Sequence, residues 1–199
     1  MGFFQTRMAT RDLWKQVSHP VSAPHFPAQE AEALIAQGVN VNKPLPDGNS
    51  PLSRICMWGN TGVAKVLMDH GTNPNVRIPG GDRPLDIVAS NGDTDLAALL
   101  INAGAEVDAR DRSGDTALHG SVARTAVVRA RMPEMLVSLG ADPNAENNDG
   151  QTPMMNFCVV YERLLHLYST QGGHVQERRE LAEDLDRLTL LLVRQRSWT

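Results

Sequence analysis

The histidines are the first residues to consider for catalysis or metal binding. The sequence has six of them, and His166 and His174 lie eight residues apart with Gly172-Gly173 between them. That spacing does not suit a shared metal ion, and no phosphate-binding glycine loop, HExxH helix or GxSxG elbow occurs in the sequence. We therefore expect no catalytic residue, no cofactor and no metal site.

One alternative keeps a chemical role for this part of the chain. An enzyme or ligand sensor could build its site from an insertion at residues 161–176. Its functional groups would be Tyr161, Glu162, His166 and His174, and they would have to converge in a pocket that perturbs their pKa values.

Arginine dominates the basic residues, with 16 of the 19 lysines and arginines. Arginine pairs well with carboxylate and phosphate groups and is common in interfaces. Five of the arginines lie close together in the sequence. They could form a solvated face whose charges are compensated locally, or a docking site for an acidic partner, and both interpretations stay open. The formal net charge of −4 argues against a nucleic acid partner. The group comprises Arg110, Arg112, Arg124, Arg129 and Arg131.

A repeat must position all of these side chains. Two series of glycines recur in one frame, each at intervals of 33, 33 and 36 residues. Fixed periods of this size indicate stacked supersecondary units, none of which can bury its apolar surface alone. The first series is Gly38, Gly71, Gly104 and Gly140, and the second is Gly48, Gly81, Gly114 and Gly150.

Each repeat predicts a loop followed by two helices. The second glycine series allows a turn with positive φ, and Ser50, Thr116 or Thr152 then caps a helix. Arg83 stands at the equivalent position and offers no hydroxyl cap. A second helix with apolar residues at buried-face spacing ends at a glycine of the first series.

Short motifs in this frame resemble the ankyrin repeat family. Thr116-Ala117-Leu118-His119 is close to the T-P-L-H signature, and Gly104-Ala105 and Gly140-Ala141 match the G-A helix stop. The resemblance spans about residues 28 to 160. It implies an all-α solenoid of about five units, each with two antiparallel helices and a β-hairpin loop, and it gives His119 a structural hydrogen bond to a neighbouring loop.

The period also predicts how the single domain, residues 1–199, is divided. The first unit is degenerate, with helices expected at Asp12–Val17 and Pro27–Gln37. The last contains the 161–176 insertion, with a flexible loop at 169–176, and then a capping helix that carries Leu181, Leu185, Leu188 and Leu192. The expected units are 1–44, 45–77, 78–110, 111–146 with a short insertion that Pro133 closes, and 147–199.

The two cysteines occupy the same position of two repeats, each eight residues after a loop glycine. Three repeat steps separate Cys56 from Cys158, which is too far for a disulfide bond. We expect both to be small buried apolar residues.

Partner contacts are expected at the loop tips and at the end of each first helix. Trp58 is either a core residue or a partner anchor, since Trp, Tyr and Arg dominate binding hot spots. Both interpretations remain open. The candidate contact residues are Asp47, Asn49, Met57, Trp58, Arg77, Asp82, Asn91, Arg112, Asp115, Arg124 and Tyr161.

The expected function is that of a non-enzymatic adaptor or inhibitor that binds another protein through its concave groove and hairpin tips. One specific alternative is an immunity-type protein that neutralises a cognate toxin. A membrane-skeleton adaptor would require acylation of Gly2. The apolar runs are too short to span a bilayer, and two cysteines are no disulfide framework, so we expect a cytoplasmic protein that is monomeric alone.

Overall fold

The computed structural model describes residues 23–123 and 131–170, together with eight isolated positions nearer the chain ends. Within these residues the regular structure is helical and no strand is present. A short 3-10 helix, Ala23–His25, precedes the first α-helix. The α-helices are α1 Ala28–Ile35, α2 Pro51–Trp58, α3 Thr61–Asp69, α4 Pro84–Asn91, α5 Thr94–Asn102, α6 Ala117–Ala123, α7 Arg131–Ser138 and α8 Pro153–Thr170.

The chain divides into two compact units. The first unit comprises residues 1–88 and 95–105. In it α3 packs against α1 and α2, and the 3-10 helix packs against α2. Leu52, Ile55 and Leu67 are fully buried between these helices, as expected for apolar residues at helical spacing.

The second unit comprises residues 89–94 and 106–199. Here α6 packs against both α7 and α8. Leu118, Leu136 and Phe157 supply one fully buried side chain from each of the three helices. Pro133 lies in the first turn of α7, where proline removes no helical hydrogen bond, and this agrees with the prediction that it opens this helix.

The predicted caps are confirmed at two helices. The Ser50 hydroxyl accepts a hydrogen bond of 3.0 Å from the Ser53 N–H at the start of α2. The Thr152 hydroxyl accepts one of 3.4 Å from the Met155 N–H at the start of α8. At α4, where Arg83 replaces the hydroxyl residue, the Asp86 carboxylate accepts a 2.8 Å bond from the Arg83 N–H.

Both glycine series adopt positive φ, as the repeat predicts. The loop glycines complete tight turns instead of strand-bearing β-hairpins: in each of the four turns, the first residue donates its N–H to the carbonyl of the fifth. With one such bond per turn, the described residues contain no β-ladder. The four turns begin at Leu45, Ile78, Asp111 and Asn147.

Two sequence predictions about the last repeat are wrong. Residues 161–170, the first part of the expected insertion, continue α8 as one 18-residue helix, so residues 169 and 170 are helical and do not belong to a flexible loop. The segment 153–170 has no proline after its first residue and no glycine, so nothing in the sequence ends the helix there. Cys158 is exposed, whereas Cys56 is buried as predicted.

Several predictions concern residues outside those that the structure describes. They are the Asp12–Val17 helix apart from Lys15, which is helical and exposed, the insertion before α7 with Arg124 and Arg129, the loop at 171–176, and the four leucines of the capping helix.

Candidate functional site

The first turn of the first unit is held by a carboxylate. The Leu45 N–H donates to the Asn49 carbonyl at 2.8 Å, and the Asp47 Oδ1 accepts a 3.0 Å bond from the Asn49 N–H. The other oxygen of Asp47 pairs with the Arg54 guanidinium on α2. Asp47 is exposed and Asn49 half-buried, so this ordered turn presents polar side chains to solvent.

The second turn lies against the first. Pro79 approaches Gly48 so closely that a Cβ on that glycine would lie 3.0 Å from the proline Cγ. The Ile78 N–H donates to the Asp82 carbonyl at 2.9 Å, and the exposed Arg77 donates to the Gly81 carbonyl at 3.2 Å. The structure therefore places the turn that contains Asp47 and Asn49 beside the turn that follows Arg77 and ends at Asp82.

The end of α2 carries Met57 and Trp58, both half-buried. Trp58 follows Arg54 by four residues, so the two side chains share one face of the helix. The indole Nε1 of Trp58 is buried and has no hydrogen-bond partner among the described residues. We call Asp47, Arg54 and Trp58 the α2 row, because the ion pair joins the turn to the helix face that ends at the tryptophan.

Arg54 is a member of this row that the sequence did not single out. The sequence contains one indication of its role, because Arg54 precedes Trp58 by four residues and so shares a helix face with it. The pairing with Asp47 depends on how the turn folds back over α2, and that information is absent from the local sequence.

The second unit presents another pair of turns. Asp111 Oδ1 accepts hydrogen bonds from the Ser113 and Asp115 N–H groups at 2.8 and 2.9 Å. The Asn147 amide donates to Asp115 Oδ1 at 2.7 Å, so this predicted contact residue is used within the fold. Arg112 is exposed, and its carbonyl accepts from the Asn148 amide at 3.0 Å.

Asn91 and Tyr161, also in the second unit, complete the predicted contacts. Asn91 is exposed at the end of α4. Tyr161 is half-buried, with its ring centroid 6.0 Å from that of Phe157 one helical turn earlier. Neither lies in a turn, and Arg124 is outside the described residues.

His119 has a structural role, as the resemblance implies. It is fully buried on α6, and its Nδ1 accepts a 3.2 Å bond from the Thr116 N–H. The Nε2 then carries the hydrogen and donates to the Gln151 carbonyl at 3.0 Å, which ties the third turn region to the fourth. Both ring nitrogens are engaged, so neither is available as a general base.

The described residues contain no group of three or more His, Cys, Asp or Glu side chains that could hold a metal ion. Of the groups required by the enzyme alternative, Tyr161 and Glu162 lie on the regular helix α8, and Glu162 is exposed. The side chain of His166 and all of His174 fall outside the described residues.

A comparison with protein families identifies the repeats. The sequence pattern of ankyrin repeats, in three copies, matches residues 27–111. The chain is an ankyrin-repeat protein. Its fold class is the all-α repeat solenoid. The matched range ends at residue 111, where the third turn begins. The third and fourth turns nevertheless form the same hydrogen bond, from the first residue to the fifth, as the first two turns. No curated protein sequence matches the chain.

Ankyrin repeats are generic protein–protein interaction modules, and the family is typically non-enzymatic. This supports a binding role for the chain. Among the described residues, no helix is both long and apolar enough to cross a membrane.

Proposed function

We propose that this ankyrin-repeat protein acts as an adaptor or inhibitor, and that its first unit binds a partner protein through the α2 row and the two adjoining turns. The observation that carries the proposal is the Asp47–Arg54 ion pair, which fixes an exposed turn beside a half-exposed tryptophan. Tryptophan and arginine are the residues most enriched in binding hot spots.

The two turns are held in one conformation, and this favours binding. Backbone and side-chain hydrogen bonds hold the tips of both turns before any partner arrives. Association then loses less conformational entropy than it would with a flexible loop, so more of the contact energy contributes to affinity.

The half-burial of Trp58 combines the two roles that the sequence left open. Part of the ring packs on the first unit, while the rest is available to a partner. Its buried Nε1 makes no hydrogen bond with a described residue, so replacing the indole by phenylalanine loses no such bond. A comparison of Trp58→Phe with Trp58→Ala therefore tests the aromatic contact without changing a hydrogen bond to the described residues.

The proposal is tested with a partner captured from the native host and identified by mass spectrometry. Calorimetry would compare Kd for the wild type, Trp58→Ala, Trp58→Phe and the control Leu139→Ala. Leu139 is an exposed apolar residue just after α7, in the second unit, and is not part of the α2 row. We expect Trp58→Ala to weaken binding by about 2 kcal/mol, roughly thirtyfold in Kd.

Trp58→Phe should keep most of the affinity, and Leu139→Ala should keep all of it. The melting temperature of Trp58→Ala should fall less than for a fully buried aromatic, whose loss costs about 3–5 kcal/mol. Wild-type affinity in Trp58→Ala would refute the role of the α2 row.

A further inference from the structure

The connection between α4 and α5 contains a chemically reactive pair of residues. Asn91 is the last residue of α4, Gly92 follows it, and α5 begins at Thr94. Of the 12 asparagines in the sequence, Asn91 is the one that precedes a glycine. The backbone nitrogen of a glycine can attack the side-chain amide carbon of a preceding asparagine with no Cβ in its way. Asparagine is accordingly among the thermolabile residues of proteins.

Hydrogen bonds hold many of the other asparagine side chains in place. The amide of Asn42 donates to the Gly71 carbonyl at 3.0 Å, and that of Asn75 donates to the Gly104 carbonyl at 2.9 Å. The same kind of restraint applies to Asn40, Asn60, Asn73, Asn147 and Asn148. The side chain of Asn91 is exposed and makes no hydrogen bond with a described residue. Its amide is therefore free to turn toward the backbone that follows.

The nitrogen of Gly92 is held by one long hydrogen bond. Its N–H donates to the Ala89 carbonyl at 3.2 Å, whereas the N–H of Ala103, just after α5, has two acceptors at 3.1 Å. Gly92 has a φ of +76°, and nothing lies within 4 Å of the place where a Cβ would be. Helix ends fray and open locally at little cost in free energy. The Gly92 nitrogen can therefore leave the Ala89 carbonyl and approach the Asn91 side chain.

We propose that Asn91 is a site of spontaneous deamidation and isoaspartate formation, with water as the co-reactant. The Gly92 nitrogen forms a bond to Asn91 Cγ, the bond from Cγ to the side-chain nitrogen breaks, and ammonia leaves with the proton of the Gly92 N–H. The cyclic succinimide that results is opened by water. Hydrolysis at Cγ gives aspartate, whereas hydrolysis at the main-chain carbonyl gives isoaspartate, in which the chain continues through Cγ.

Both products change the connection between the two helices. A carboxylate replaces a neutral amide at the end of α4, where the helix dipole carries partial negative charge, so the two repel each other. Isoaspartate also adds a main-chain carbon to a link that consists of Gly92 and Asp93. Asn91 stands ten residues after Gly81, as Trp58 stands ten after Gly48. The modification therefore adds a negative charge at a predicted partner contact.

Ageing of the full chain at mildly alkaline pH tests the proposal. The folded protein is incubated and then digested at acidic pH, and chromatography with mass spectrometry separates aspartate from isoaspartate peptides. Asn102, the exposed last residue of α5 before Ala103, is the matched control in the same molecule. We expect Asn91 to convert about tenfold faster or more than Asn102, with isoaspartate among the products.

The rate at Asn91 should also rise with pH, because the attacking nitrogen must lose its proton. Equal rates at Asn91 and Asn102 would overturn the proposal. So would aspartate formed without isoaspartate, because ring opening produces both.

A variant and an unfolded reference separate the chemistry from the influence of the fold. Asn91→Gln moves the amide carbon one bond further from the Gly92 nitrogen, so no isoaspartate should form. In urea, wild-type Asn91 should convert at a rate within about tenfold of its rate in the folded protein, because the exposed helix end already opens locally. Acceleration by unfolding of more than about tenfold would show that the fold protects Asn91 and would contradict the proposal.

Discussion

Gly114 is the loop glycine at which the repeat is most tightly constrained. Its φ is +80°, and a Cβ there would lie 2.5 Å from Asn148 Oδ1 and 2.7 Å from the Asn148 backbone nitrogen. Gly140, in the same unit, has φ +99° and nothing within 4 Å of such a Cβ. The first glycine is required by both conformation and contact, the second by conformation alone.

We therefore expect Gly114→Ala to destabilise the protein more than Gly140→Ala. The positive φ should cost about 1–2 kcal/mol in either variant. Displacing the Asn148 backbone should add about 1–3 kcal/mol in Gly114→Ala alone. Urea denaturation measures both, and equal free energies of unfolding would contradict the close approach of the third and fourth turns.

His119 joins two turns through its ring. Replacing it by alanine leaves the buried Thr116 N–H without its acceptor, reduces the partners of the Gln151 carbonyl to the Asn147 N–H, and opens a cavity. We expect His119→Ala to lose about 2–4 kcal/mol of stability. The exposed His25 provides a control, and His25→Ala should melt as the wild type does. A near-native melting temperature for His119→Ala would show that the bridge contributes little.

Helix α4 begins without the hydroxyl cap found at α2 and α8. Asp86, three residues after Arg83, accepts the bond from the Arg83 N–H that would otherwise lack a partner within the helix. Asp86→Ala should destabilise the protein by about 0.5–2 kcal/mol. Asp86→Asn keeps an acceptor oxygen and should recover most of that loss. If the asparagine variant is as unstable as the alanine variant, the carboxylate acts through its charge instead.

The sequence predicts most of each helical element because the same local signals recur in every repeat. Glycine at a positive φ, a hydroxyl before a proline, and apolar residues three and four apart each have a local physical cause. The length of α8 escaped prediction because the repeat implied a stop that the residues after Val160 do not supply. Helix length follows the local sequence, and here it overrides the period.

The candidate site is less predictable for a different reason. Turn residues such as Asp47 and Asn49 can be located from glycine spacing alone. The Asp47–Arg54 pair and the half-burial of Trp58 depend on packing between elements, which spacing does not encode. Cys158 shows the same limit: it repeats the position of Cys56, yet its burial depends on whether another repeat follows.

At the scale of the whole molecule, each compact unit presents a pair of ordered turns, and the chain carries a net charge of −4. We assign partner binding to the first unit because the α2 row adds an aromatic residue to its turns.

Hydrogen–deuterium exchange of the free and partner-bound protein tests that assignment most directly. Binding through the α2 row should slow amide exchange in peptides covering residues 45–49, 54–60 and 77–82, by about tenfold or more where amides are excluded from solvent. Peptides covering α6 and α7 should exchange equally in both states. Protection confined to α6, α7 or the turns of the second unit, with residues 45–60 unchanged, would contradict the account.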